Sequence, residues 1–143
     1  MKKQKHECQI YLERIPKLNA MIQNKTAEAE QWRNISLGVT PQINSERVQS
    51  SGSKQKMADA IDRFVDLQEE INSLIDNLVD TKKEIISNIE QLPAMEYDVL
   101  HKRYIQGMQF DEIGATRGKS KSWATTIHGN ALQHLKVILS GEK

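Results

Sequence analysis

The sequence predicts an all-α protein in which a long antiparallel helical hairpin, a coiled-coil-like stalk, precedes a small C-terminal helix-turn-helix. Three observations predict this class. Apolar residues recur every seven positions through residues 56–92, a second stripe with helical spacing precedes them, and two short amphipathic segments joined by a glycine-containing turn follow them. Apolar residues make up 38% of the 143-residue chain and aromatic residues only 5%, which suits a helical core built from Leu and Ile.

The first long helix is predicted by apolar residues spaced three, four and seven apart in the N-terminal third of the chain. They are Tyr11, Ile15, Leu18, Ile22, Ala29 and Trp32. Pro16 lies inside this stripe. Because a proline in a helix interior costs about 3 kcal/mol and kinks the helix, the helix either starts near Pro16 or bends there.

The second long helix is predicted over residues 56–92, where a seven-residue repeat defines an apolar seam. The repeat consists of Met57, Phe64, Ile71, Leu78, Ile85 and Leu92, and the alternate seam positions are Ile61, Ile75 and Ile89. Gln68 and Lys82 interrupt the alternate positions. They either fix register and partner number or are solvated at the edge of the stripe.

A loop over residues 38–55, rich in Gly, Ser and Pro, lets the two long helices fold back on each other. It is longer than a hairpin needs, so it is either a flexible connector or an anion or partner site. The domain organisation is therefore predicted as a hairpin over residues 1–92, for oligomerisation or partner docking, and a DNA-binding domain over residues 93–143.

Three further helices are predicted after the hairpin. The third, over residues 94–105, places Met95, Val99, Leu100 and Tyr104 on one face and ends at Gly107. The fourth covers residues 110–117. The fifth starts after Ser120, a favoured N-cap residue, and runs to about Leu139.

The fourth and fifth helices share one small core. Its members are expected to be Phe110, Ile113 and Ala115 packed on Ala124 and Ile127, closed by Leu100 and Tyr104 of the third helix. Gly114 suits a position where two helices approach closely, although a lone glycine in a helix is also simply a cost of about 1 kcal/mol.

The predicted DNA-contacting side chains lie in the turn and on the N-terminal half of the fifth helix. They are Arg117, Lys119, Ser120, Lys121, Ser122, Trp123, Thr125, Thr126 and His128. Residues 101–143 carry seven Lys and Arg against three Asp and Glu. When a helix lies in the major groove of double-stranded DNA, its Lys and hydroxyl side chains can bind phosphates and base edges. The alternative is a basic solvated face on a helical packing module.

The stretch "LHKRYIQGMQFDEIGATRGKSKSWATTIHGNALQHL" resembles region 4 of the sigma-70 family, with "DEIG" and "ALQHL" as matching motifs. The whole chain, above all "ERVQSSGSKQKMADAI", is similar to a phage and prophage family of Gram-positive bacteria, DUF1492, close to the ArpU- and RinA-type late-transcription regulators. The resemblance implies a sequence-specific transcriptional regulator of phage late or packaging genes. Gln109 departs from the Ser/Thr cap of region 4, and Trp123 and Thr125 stand where Arg is common.

The sequence is also compatible with two other functions. A small terminase subunit also joins a helix-turn-helix to long oligomerising helices and recognises packaging DNA, and a helical adapter would bind RNA polymerase or sigma instead of DNA. The apolar side of the second helix is broader than one hairpin partner covers, so we expect a homo-oligomer through the long helices. Host RNA polymerase is a further candidate partner.

No enzyme, cofactor or metal site is expected. His6 and Cys8 form a His-x-Cys pair without a second ligand pair, and "RGKSKS" lacks the strand and the spacing of a phosphate-binding loop. A single cysteine allows no internal disulfide, and no apolar run of about 18 residues exists that could cross a membrane. We therefore expect a soluble intracellular protein, and the resemblance to the phage family implies the cytoplasm of a bacterial host cell.

Overall fold

The computed structural model describes residues 6–38 and 51–141, and within these ranges every regular element is helical. The helices are α1 (Glu7–Ser36), α2 (Ser51–Ile89), α3 (Ala94–Leu100), α4 (Phe110–Thr116) and α5 (Lys121–Ser140). A π-helical turn, His101–Ile105, directly follows α3, so the predicted third helix is not uniform. The all-α class is thus confirmed.

The ends of both long helices differ from the prediction. The first helix begins at Glu7 and contains Pro16, which excludes a start near the proline. The second begins at Ser51, so the last five residues of the predicted loop 38–55 are helical, and it ends at Ile89. Residues 39–50 of that loop lie outside the described residues. Leu12, Ile15 and Leu18 are buried on both sides of Pro16, and burial of each is worth about 1.5–3 kcal/mol, enough to offset the missing hydrogen bond.

The chain divides into two compact units, and the division differs from the predicted boundary at residues 92 and 93. The terminal unit combines α1 up to Leu18 with the chain from Leu78 onward, and the hairpin unit is Asn19–Asn77. The ends of the long helices therefore belong to the same unit as the helix-turn-helix.

In the terminal unit, the two long helices run antiparallel and are joined by polar contacts. Asn88 donates a hydrogen bond of 2.7 Å to the Tyr11 hydroxyl, which donates to Glu84 at 3.0 Å. Arg14, one turn further along α1, donates to Thr81 at 3.4 Å. As α1 advances, its partners in α2 lie earlier in the sequence, as an antiparallel pair requires.

The core of the terminal unit draws on four helices and the π-helical turn. Its members are Cys8, Leu12 and Ile15 from α1, Ile85 and Ile89 from the end of α2, Leu92 from the segment that follows α2, Leu100 and Tyr104, and Ala131, Leu132 and Leu135 from α5. The C-terminal half of α5 is thus packed against side chains that lie more than a hundred residues away in sequence.

The hairpin unit has a smaller core and is laced by ion pairs. Ala29, Leu67 and Ile71 are buried, with Ile22, Trp32 and Phe64 packed around them. Lys25 pairs with Glu70 at 2.9 Å and Arg63 with Glu28 at 3.3 Å, so the two helices are antiparallel here as well. These pairs are partly exposed to solvent and contribute little stability.

The seam of α2 corrects the predicted pattern. Ile61 and Ile75 are exposed, whereas Ala60, Leu67 and Thr81 are buried. From Ala60 to Thr81 the second seam position therefore lies three residues after the first one, whereas the prediction placed it four residues after. At the end of α2 the predicted position Ile89 is fully buried, so that member of the predicted seam is confirmed. Gln68 is exposed and Lys82 half-buried because the seam passes through their neighbours.

The predicted apolar face of the third helix is wrong at Met95, which is exposed, whereas its neighbour Glu96 is buried.

Within the described residues, no helix is long and apolar enough to cross a membrane.

The shared core makes a prediction for Leu12→Ala. The substitution empties a fully buried site and should lower the free energy of unfolding by about 2–5 kcal/mol. Because the same core holds α5, amide hydrogen exchange in Ala131 to Leu135 should accelerate. Leu37→Ala, at an exposed site, is the control and should change stability by less than about 0.5 kcal/mol. Unchanged exchange in α5 would mean that the C-terminal helices fold independently of α1.

Candidate nucleic-acid interface

A four-residue turn, Arg117 to Ser120, joins α4 to α5. The Arg117 and Lys119 amides both donate to the Gly114 carbonyl, at 2.9 and 2.8 Å, and the Gly118 amide donates to Ala115 at 3.1 Å. Gly118 has a φ of 66°, a left-handed conformation that glycine adopts without strain. The turn therefore satisfies the last carbonyls of α4 while reversing the chain.

The start of each helix is capped locally. The Ser120 hydroxyl accepts a hydrogen bond of 3.0 Å from the Trp123 amide, so the predicted N-cap of α5 is confirmed. At α4, where Gln109 replaces the usual Ser/Thr, the Glu112 carboxylate accepts from the Gln109 amide at 2.8 Å. The departure from the region 4 pattern thus leaves the helix start intact.

Gly114 lies where the backbone of the turn comes very close to α4. A Cβ atom there would lie 2.8 Å from the Lys119 carbonyl oxygen and still closer to that of Ser120. Real Cβ atoms essentially never come so near to backbone oxygens. The prediction that a small residue is required at this position is confirmed.

A small core joins α3, α4 and α5 and consists of Val99, Ile113 and Ala124, with Met108, Phe110, Trp123 and Ile127 packed against it. Ala115 is exposed, so its predicted place in this core is wrong, and Gly114 takes the buried position. Leu100 and Tyr104, which were predicted to close this small core, belong instead to the larger core that includes Leu12 and Leu135. Val99 of α3 closes the small core.

Most of the predicted contact residues form one exposed surface, which we call the α5 face. It comprises Arg117, Lys119, Ser120, Lys121, Ser122, Thr125 and Thr126. Among the described residues, no carboxylate pairs with Lys119 or Lys121. The Thr125 hydroxyl donates to the Ser122 carbonyl at 2.9 Å, one turn back in the same helix. Trp123 is half-buried against the small core, so only part of its side chain is available to a ligand.

His128 does not belong to the α5 face, and the prediction that it is free is wrong. It is buried, its Nε2 lies 2.7 Å from the Tyr104 hydroxyl, and its ring meets Phe110 edge-on with centroids 5.0 Å apart. Burial, with help from the nearby Arg103 cation, lowers the pKa of His128 to about 4. Burial also raises the pKa of Tyr104 to about 12. The pair is neutral at physiological pH and is part of the core.

An ion cluster that the sequence did not reveal holds Arg117. Its Nε donates to Asp98 Oδ2 at 3.1 Å, and the other oxygen of Asp98 accepts from Lys102. Burial disfavours the Asp98 carboxylate, but the hydrogen bonds from Lys102 and Arg117 outweigh it and lower its pKa. The spacing of Asp98 and Lys102 is a recognisable helical pair, whereas the link to Arg117, 19 residues away, has no sequence signal.

A second unpredicted contact joins α3 to α5. His134 Nδ1 lies 2.7 and 3.0 Å from the two oxygens of Glu96, whose side chain is almost fully buried. This contact adds polar support to the apolar packing of α5. Within the described residues, no three His, Cys, Asp or Glu side chains come close enough together to hold a metal ion.

Residues 89–137 match the family described as Sigma-70, region 4. No curated protein and no solved structure gave a match to the chain. The matched range covers α3, α4, the turn and nearly all of α5, and therefore includes the whole α5 face. This part of the chain is similar to sigma-70 region 4 and has the helix-turn-helix arrangement described above.

The two glycines inside helices α4 and α5 should respond to alanine in opposite ways. Gly114→Ala forces backbone to move and should lower the free energy of unfolding by about 1–3 kcal/mol. Gly129→Ala meets nothing within 4 Å and should raise it by up to about 1 kcal/mol through helix propensity. Thermal or urea unfolding of the full chain measures both. A neutral Gly114→Ala would contradict the close approach of the turn to α4.

The buried His128 predicts a loss of stability in mild acid. Its pKa in the folded protein, about 4, lies below the unfolded value of about 6.5, so its contribution is complete above pH 6.5 and is lost as the pH falls toward 4. The loss should be on the order of 3 kcal/mol. Urea unfolding between pH 7 and pH 4.5 should show this decline in the wild type.

The matched variant for this test is His128→Gln, which should flatten the decline although it is less stable at pH 7. His101→Gln, at a half-buried site, should keep the decline. An identical pH dependence in wild type and His128→Gln would refute the assignment.

Proposed function

We propose that the protein is a sequence-specific, DNA-binding transcriptional regulator that places the N-terminal half of α5 in the major groove of double-stranded DNA. The observation that carries this proposal is the α5 face, which exposes hydroxyls and two lysines that have no carboxylate partner among the described residues, in the turn and on the second helix of a region 4-like helix-turn-helix. In such a motif, the second helix reads bases with its N-terminal residues.

The side chains of the α5 face divide by position. Lys119 and Lys121 flank the start of α5, where the helix dipole and free backbone amides favour phosphate. Thr125 and Thr126 lie one turn further along, where side chains reach base edges. Because Thr125 already donates to Ser122, Thr126 has the freer hydroxyl of the two.

The proposed targets are phage or prophage genes, in particular late or packaging genes. This part rests on the similarity of the chain to the DUF1492 family described above, carried mainly by "ERVQSSGSKQKMADAI". A regulator of this kind acts in the cytoplasm of the bacterial host, and host RNA polymerase is the further partner that a region 4-like domain suggests. The proposed role needs no catalytic step and no cofactor.

We also propose that the protein forms a homodimer through the exposed side of α2. In the hairpin unit, Ile61, Val65 and Ile75 are each more than 40% exposed although they lie on one side of the helix at heptad-compatible spacing. Each is followed directly by an aspartate, at Asp62, Asp66 and Asp76. A second copy would cover this apolar stripe at the cost of bringing like charges together.

The proposed division of labour on the α5 face can be tested by substitution. Lys119→Ala should weaken binding to a selected duplex and to a scrambled duplex about equally, because it removes a phosphate contact. Thr126→Ala should cost about 1–3 kcal/mol on the selected duplex and much less on the scrambled one, and Thr125→Ala should act in the same direction. Titrations at a single salt concentration measure the affinity ratios. If neither threonine variant changes the ratio, this side of α5 does not read bases.

Salt should act in opposite directions on the two proposed interactions. DNA affinity should fall with a logarithmic slope near −0.9 per phosphate contact. Dimerisation should strengthen as salt rises from about 0.05 to about 0.5 M, since screening relieves repulsion between the aspartates. Sedimentation equilibrium measures the second effect. Ile75→Ser should abolish the dimer. The control Ile10→Ser, at an exposed site on α1, should leave the dimer intact. A wild type that stays monomeric at all salt concentrations would refute the dimer.

A further inference from the structure

The three side chains of the ion cluster, Asp98, Lys102 and Arg117, differ in their exposure to solvent. Asp98 gives one oxygen to Lys102 and the other to Arg117, and its side chain is only 19% exposed. Lys102 is about equally buried, whereas the Arg117 side chain is 40% exposed. Two cations surround one carboxylate, so the cluster keeps a net positive charge, and its exposed member is Arg117.

Arg117 uses only one edge of its guanidinium inside the protein. The hydrogen bond to Asp98 comes from Nε, and among the described residues no acceptor takes a hydrogen bond from Nη1 or Nη2. A guanidinium can hold a carboxylate at one edge and a phosphate at the other, because its donors lie in a fixed planar fork. Lys119, which is exposed and has no ion-pair partner in the part of the chain that the structure describes, is two residues away in the same turn.

We propose that Asp98 is a positioning residue for DNA binding: it fixes Arg117 so that the free Nη groups bind a phosphate of the DNA backbone. This inference rests on the proposed function. Holding a long side chain in its binding conformation removes an ordering cost of about 0.5–1.5 kcal/mol from the binding step. Lys102 keeps Asp98 ionised and oriented, so that the carboxylate stays with the protein when Arg117 binds the phosphate.

The sign of the effect separates this proposal from simple electrostatics. A carboxylate near DNA repels phosphate, so its removal alone should strengthen binding. If Asp98 positions Arg117, its removal should weaken binding although the protein becomes more positive. Asp111→Asn supplies the matched charge control, since Asp111 is exposed at the start of α4 and its only described contact is with the Glu112 amide.

The experiment measures the affinity of the full-length chain for a duplex selected from a random library and for a scrambled duplex, at one salt concentration. Asp98→Asn should bind both duplexes about 3- to 10-fold more weakly than wild type. Asp111→Asn should bind them no more weakly than wild type. Arg117→Lys, which keeps the charge but loses the planar fork, should show the same loss as Asp98→Asn and serves if Asp98→Asn does not fold.

A double-mutant cycle excludes a merely structural role. In an Arg117→Ala background, Asp98→Asn should no longer weaken binding, because the side chain that it positions is gone. An Asp98→Asn variant that binds as tightly as wild type, or an equal loss in both backgrounds, would overturn the inference while leaving the proposed function in place. A wild type that binds neither duplex would remove the proposed function and this inference with it.

Discussion

The packing of the C-terminal half of α5 against the ends of the two long helices is the constraint on which the rest of the structure depends. Leu135 is fully buried in the same cluster as Leu12 of α1 and Ile89 of α2. A three-helix module the size of the helix-turn-helix buries only a few apolar side chains by itself, and small domains are correspondingly marginal. The long helices therefore supply the missing core. The C-terminal half of α5 is thus anchored in this core, whereas its N-terminal half carries the exposed α5 face.

The exposed end owes its geometry to contacts that are local in sequence. Gly114 lets the turn approach α4, Gly118 takes the left-handed conformation, and Ser120 caps α5. These contacts orient the first turns of α5 while the distant core fixes its axis. The proposed DNA-binding surface thus combines a rigid helix with a turn whose cations, Lys119 and Arg117, differ in freedom: the first has no partner among the described residues, and the second is held by Asp98.

What could be predicted from the sequence was what short-range patterns encode. The N-cap role of Ser120, the close approach at Gly114 and the core position of Ala124 can each be predicted from residues a few positions away in the sequence. The α2 seam was harder, because Leu67 and Ile61 are both large and apolar and only packing decides between the two registers. Buried polar residues were missed for a related reason. His128 and Glu96 are residue types that usually lie on the surface. Their partners in the fold are Tyr104, 24 residues from His128, and His134, 38 residues from Glu96, and no local pattern indicates these contacts.

The central claim is that the N-terminal half of α5 reads DNA while its C-terminal half stays in the core. Amide NMR spectra of the full-length protein, titrated with a duplex selected from a random library and with a scrambled duplex of equal length, test it most directly. The account predicts shifts specific to the selected duplex from Lys119 to Thr126, with Ala131 to Leu135 and the hairpin unit unchanged. Equal shifts with both duplexes, or shifts concentrated in the hairpin unit, would contradict it.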